Sequence, residues 1–131
     1  MQVGKQILGV GLGIYDACRK EGAIIATGHE HSYSRTYLMA DFGRQTVAST
    51  RSSLRLEKGR TFAFVSGLGG ESIRSQTRSA PWWASVYTKT QKANYGALFC
   101  ELGRETPAKA YCYFKDIDGK VVDQFKLVSG L

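Results

Sequence analysis

Between residues 14 and 21 the apolar side chains Ile14, Tyr15, Ala17 and Cys18 fall to one side and the polar Asp16, Arg19, Lys20 and Glu21 to the other, which predicts a short helix. Gly22 supplies its stop. An uninterrupted apolar run follows at 23–27, too short for a helix and without alternation, and such a run predicts a strand buried on both faces. A loop then opens at Gly28, where a glycine lets the backbone turn sharply, and leads through Tyr37, Leu38, Met39 and Ala40 to Gly43. Helix, glycine, buried strand and loop is the rhythm of an α/β sheet.

Polar residues dominate 43–60, where Leu54, Arg55 and Leu56 make the only alternating segment, so a mobile surface excursion is expected there. Residues 61–66 read as a strand, ended by Gly67, Leu68, Gly69 and Gly70. That glycine turn lacks the spacing of the known phosphate-cradling loops, so a strand-end turn is the reading adopted. Around Pro81, Trp82 and Trp83 the stretch 71–94 mixes charged, small and aromatic residues and is expected to be irregular, with the tryptophans packed down. Three strand-like runs follow at 97–102, 109–115 and 121–128, and Asp118-Gly119 between the last two is a hairpin signal. The final third therefore predicts an antiparallel meander.

Composition narrows this picture to one compact domain. At 131 residues with 43% hydrophobic and 22% charged residues, the chain is too short for a multi-domain enzyme and too apolar for disorder. A formal net charge of +7 favours anionic partners without naming one. No stretch approaches the roughly 20 apolar residues of a membrane span, so no membrane partner is expected. The first 14 residues superficially resemble a weak signal peptide, but Gly4, Gly9, Gly11 and Gly13 interrupt them and no small-residue cleavage site precedes Asp16, so the compartment stays open. Three cysteines without C-x-x-C spacing indicate neither a zinc ribbon nor a disulfide framework. Cys100 and Cys112 fall in adjacent predicted strands and could face each other, but without a visible secretion signal buried free thiols are expected.

Both histidines of the chain stand in Gly28-His29-Glu30-His31-Ser32-Tyr33-Ser34-Arg35, directly after the predicted buried strand. Loops at the carboxyl ends of strands in α/β sheets are where ligands bind, and neutral imidazole is a common metal ligand. On a regular strand His29 and His31 would point toward one ion; on a tight loop they could diverge toward two. An H-x-H pair alone is a weak signal. The five matching positions Gly28, His29, His31, Tyr33 and Arg35, however, resemble the last metal-binding motif of the calcineurin-like metallophosphoesterases, in the G-H-x-H-x-Y-x-R form of purple acid phosphatases. The helix and strand before it, the strand and glycine turn after it, and the closing meander are similar to the same family over most of 14–128.

The resemblance implies a β-rich α/β fold: the carboxy-terminal half of a metallophosphoesterase β-sandwich flanked by helices. Residues 1–131 would then be a partial domain, divided into a helix, strand and metal loop (14–42), a polar excursion (43–60) and mainly antiparallel strands (61–131). It implies His29 and His31 as ligands of two different ions (Fe, Zn or Mn) in the complete domain, with a phosphate ester as substrate. Arg35 would either pair with a phosphate oxygen or hold the loop through a carboxylate, and Tyr33 would pack under the histidines or donate to a ligand; a loop-supporting role is preferred for both.

The family's earlier D-x-H, G-D and G-N-H blocks are absent: residues 1–28 hold no histidine and the chain has no Asn-His pair. Two imidazoles fall short of the four or so ligands each ion needs, so the expectation is a fragment that binds at most one metal ion weakly, inactive alone. Its apolar edge would be covered by a complementing upstream half or by self-association. The alternative is a basic module built on Arg44, Arg51, Arg55, Lys58 and Arg60, followed by Arg74 and Arg78, with Trp82, Trp83 and Tyr87, or an inert interaction domain. No RNA-binding or helix-turn-helix pattern supports the basic module, and solvated loop charges with buried tryptophans are the plainer account.

Overall fold

The computed structural model describes residues 11–131. The glycine-interrupted start, and with it most of the signal-like stretch, lies outside the described residues. Helix α1 (Gly13–Glu21) closes as its pattern predicts: Gly22 takes the left-handed conformation at φ 72° and its amide returns to the Arg19 carbonyl at 3.0 Å. A side chain there would meet both that backbone strain and the Glu57 carbonyl oxygen at 2.9 Å. Asp16 pairs with Arg19 at 2.6 Å and with Lys20 at 3.0 Å along the exposed side.

Among the described residues ten strands follow: β1 (Ile25–Thr27), β2 (Tyr33–Thr36), β3 (Leu38–Asp41), β4 (Thr46–Ser49), β5 (Ser53–Leu56), β6 (Ala63–Ser66), β7 (Trp83–Tyr87), β8 (Gly96–Leu102), β9 (Lys109–Asp116) and β10 (Val121–Ser129). They form a mixed sheet in the order β1-β6-β2-β7, a second mixed sheet in the order β5-β10-β9-β8, and the small ribbon β3-β4. This is a β-rich α/β architecture, and among the described residues a single α-helix flanks it. The two larger sheets face one another across a core of Leu38, Leu54, Leu56, Phe62, Cys112, Phe125 and Leu127, continued by Tyr33, Leu68, Tyr87 and Phe114. Tyr15 and Cys18 seat α1 on Ile25, Met39, Phe42 and Ala63. Ile14 and Ala17, placed by spacing on the same side, are exposed. No helix of the described residues is long and apolar enough to cross a membrane.

Four local expectations change. The apolar run 23–27 becomes an edge strand paired only with β6, so Ile24 remains 40% exposed and Ala26 is exposed as well. The strand buried on both faces is instead β2, Tyr-Ser-Arg-Thr, because it sits between β6 and β7 and beneath the second sheet. The stretch 43–60 is not a loose excursion: β4 pairs with β3, and β5 lies parallel to β10 with Leu54 and Leu56 turned into the core. Within 71–94, β7 pairs antiparallel with β2, and the turn Lys89–Gln91 is capped by Thr88 and Gln91. The meander forms as the alternation and the Asp118-Gly119 turn require, β8 and β10 flanking β9 antiparallel. Register places Cys100 directly opposite Cys112, and the two are joined as a disulfide rather than left as thiols.

Candidate functional site

The histidine loop spans the step from β1 to β2. Two three-residue turns follow one another: the Glu30 amide donates to the Gly28 carbonyl and the Ser32 amide to the Glu30 carbonyl, each at 2.8 Å. His29 and His31 therefore stand at successive turn apexes, His29 exposed and His31 half-buried. The left-handed residue is His29, at φ 66°, and not Gly28, which keeps an ordinary backbone with open space around it. A non-glycine residue held there costs about 1–3 kcal/mol, and such strain persists where the surroundings enforce it.

Those surroundings are specific. Arg74 grips the loop twice, its amide donating to the His31 carbonyl at 3.0 Å and its guanidinium pairing with the Glu30 carboxylate at 3.2 Å. Glu30 is fully buried, and its other oxygen has no hydrogen-bond partner among the described residues. From below, the Gly67 amide donates to the Ser32 carbonyl at 2.9 Å, and a Cβ at Gly67 would collide with the Glu30 carbonyl oxygen. Gly67, at the head of the glycine turn after β6, is thus the close-packed point of the loop's floor. His31 Nδ1 lies 3.3 Å from Ser72 Oγ, so Nε2 is the nitrogen left to face a ligand. The neighbouring Glu71 carboxyl is held below its ordinary range by the Ser72 amide first and by His31 second.

Tyr33 and Arg35 lie on β2 and face the second sheet. Arg35 is bidentate on Asp123, at 2.7 Å from Nε and 2.9 Å from Nη2, with its guanidinium 4.3 Å from the centroid of the Phe125 ring. The Tyr33 hydroxyl donates to the same carboxylate at 2.7 Å. Burial, joined by the Asp123 charge, pushes the Tyr33 phenol far above its ordinary range. Burial works against the Arg35 charge, and the Asp123 pair more than restores it. Neither side chain is turned toward the loop's outer surface, where the histidines stand.

Asp123 was missed by motif reading, although its position carries a signal. It shares strand parity with Phe125 and Leu127, so a carboxylate there faces the core and requires a cation. The side chains here that could hold a metal ion are the two imidazoles, His29 and His31, on their braced loop. Among the described residues no group of three or more His, Cys, Asp or Glu side chains converges where an ion could be held.

No family model matches this chain, and no curated protein matches it. Among solved structures it is similar to a purple acid phosphatase isolated from yellow lupin (Lupinus luteus) seeds, with a TM-score of 0.74 at 17% identity. The likeness covers 95% of this chain and 21% of that one, so the chain spans about a fifth of the length of the protein it matches. The chain therefore shares the fold of part of that purple acid phosphatase.

Proposed function

We propose that this chain is the carboxy-terminal part of a dinuclear-metal phosphoesterase domain, in which His29 and His31 each give an imidazole to one of two neighbouring ions. The observation that carries the reading is the chain's one H-x-H, held on a strained and doubly braced loop in a fold shared with a purple acid phosphatase. Such ions, when bound, supply Lewis-acid stabilisation of a phosphate ester and acidify water. The protein's own share is positional. Arg74 and Gly67 fix the loop, Ser72 orients the His31 ring, and Tyr33 and Arg35 tie β2 to the second sheet through Asp123 instead of touching substrate. The D-x-H, G-D and G-N-H blocks that would complete the ligand sets occur nowhere in the 131 residues. Hydrolysis then needs a complementing segment, and the chain alone holds at most one ion weakly.

Titration of the chain with Zn²⁺ or Mn²⁺, followed by NMR of the imidazole nitrogens, tests this reading. At least one of the two rings should respond, His31 through Nε2, with hydrolysis of p-nitrophenyl phosphate no faster than with the metal salt alone. Rings that ignore both ions, or metal uptake unchanged in the doubly substituted His29→Ala, His31→Ala protein, would remove the basis of the proposal.

A further inference from the structure

We propose that the outer face of the β5-β10-β9-β8 sheet is a docking track for single-stranded nucleic acid, a surface independent of the phosphoesterase reading. Alternation along the meander fixes what this face presents. With Cys112, Phe114, Phe125 and Leu127 turned into the core, Phe99, Tyr111, Tyr113, Lys115 and Lys126 are turned out. Register sets Phe99 opposite Tyr113, and Tyr111 opposite Lys126.

The aromatic side chains form a continuous row. Phe99 and Tyr113 stack with centroids 5.5 Å apart and planes 24° apart, Tyr111 follows at 5.8 Å, and the Arg104 guanidinium closes the row 4.8 Å from the Tyr111 centroid. At the open end Phe99 is 49% exposed, so one more flat ring can extend the stack. A hollow lies at each end of the row. One, of about 380 Å³, is walled by Phe99, Lys115, Asp116 and Ile117; the other, of about 500 Å³, by Tyr111, Lys126, Lys109, Arg104 and Glu105. The first hollow is also walled by Leu68 and Gly69, from the same glycine turn that floors the histidine loop.

Charge selects the occupant. The carboxylates Glu101 and Glu105 are each matched, by Arg104 at 3.2 Å and Lys109 at 3.0 Å. Lys115 and Lys126 form no ion pair within 4 Å among the described residues, although Lys126 and Lys109 both act on the Glu105 carboxylate, and the face stays positive on a chain of net charge +7. Stacking surface combined with unpaired cations suits a strand that offers flat bases and a phosphate backbone together. A duplex hides its bases, and a neutral glycan has no use for the lysines. The arginines and tryptophans that suggested a basic module from sequence do not build this face, apart from Arg55 at its edge: Trp82 and Trp83 are half-buried and pack together elsewhere.

Fluorescence anisotropy of a labelled dT12 oligonucleotide with the whole chain tests the proposal, with inorganic polyphosphate and heparin as competitors. The expected result is salt-dependent binding that weakens about tenfold in Phe99→Ala. In Lys115→Gln and Lys126→Gln the slope of log affinity against log salt should flatten by about 0.7 each. All three side chains face solvent, so thermal unfolding of the variants should match the parent, and EDTA should leave affinity unchanged, which separates this surface from the metal-dependent reading. Absence of binding, equal affinity for polyphosphate and dT12, heparin bound more tightly and indifferent to Phe99→Ala, or loss of binding in EDTA would each overturn it.

Discussion

At 4% exposure Arg35 keeps its charge because two of its nitrogens rest on Asp123, while Tyr33 donates to the same carboxylate. Removing that carboxylate strands a guanidinium and a phenol together. Asp123→Ala is therefore expected to lower unfolding free energy by about 3–5 kcal/mol in urea titrations, whereas the double change Arg35→Met, Asp123→Leu should recover most of the loss. A second carboxylate gives a pH prediction. Asp116 accepts from Tyr87 at 2.8 Å and from the Lys120 and Asp118 amides at 2.9 and 3.0 Å; burial opposes its charge, but these donors prevail and hold its carboxyl below the ordinary value of 3.8. A depressed carboxyl stabilises the fold above the unfolded value and ceases to do so as pH falls through the folded one. Asp116→Asn should then lower Tm at pH 7, the gap to the parent narrowing from about pH 4 downward in a scanning-calorimetry series. At this scale His29, His31, Tyr33 and Arg35 were legible as a motif, and Asp123 had its parity. Nothing in sequence joins Glu30 to Arg74, because their pairing depends on a 44-residue return of the chain.

Element boundaries followed apolarity where a strand has one wet face, and departed from it where neighbours decide burial. Helix α1, strand β6 and the meander were readable from periodicity and turn residues. Strand β2 was hidden because Tyr-Ser-Arg-Thr looks like a loop; it becomes a central strand since two of its polar side chains find Asp123 and Thr36 accepts from the Ala63 amide at 3.0 Å. β5 shows the opposite error, a true alternation lost within polar surroundings. Leu54, fully buried, predicts a loss of about 2–5 kcal/mol on Leu54→Ala, while Arg55→Ala beside it should stay within about 0.5 kcal/mol by the same denaturation curves. The glycine turn after β6 carries a separate prediction. Gly67→Ala must push the Glu30 backbone away, so a destabilisation of about 1–3 kcal/mol is expected, with altered imidazole NMR signals for His29 and His31.

Across the molecule, the Cys100–Cys112 bond ties β8 to β9 and closes a short loop of sequence separation 12. Reduction, or Cys100→Ser with Cys112→Ser, is expected to lower stability by about 2–4 kcal/mol, read as a fall in Tm in dithiothreitol. The bond was not legible because sequence shows which strands adjoin and not the redox state of the thiols. Strand β10 holds a central place in its sheet, between β5 and β9, and it also brings the counter-charge for Arg35. A nascent chain on the ribosome therefore has neither until residues 121–129 clear the exit tunnel. Folding of this unit waits on the emergence of that segment, and a premature stop before Val121 would release a polypeptide suited to chaperones and proteases.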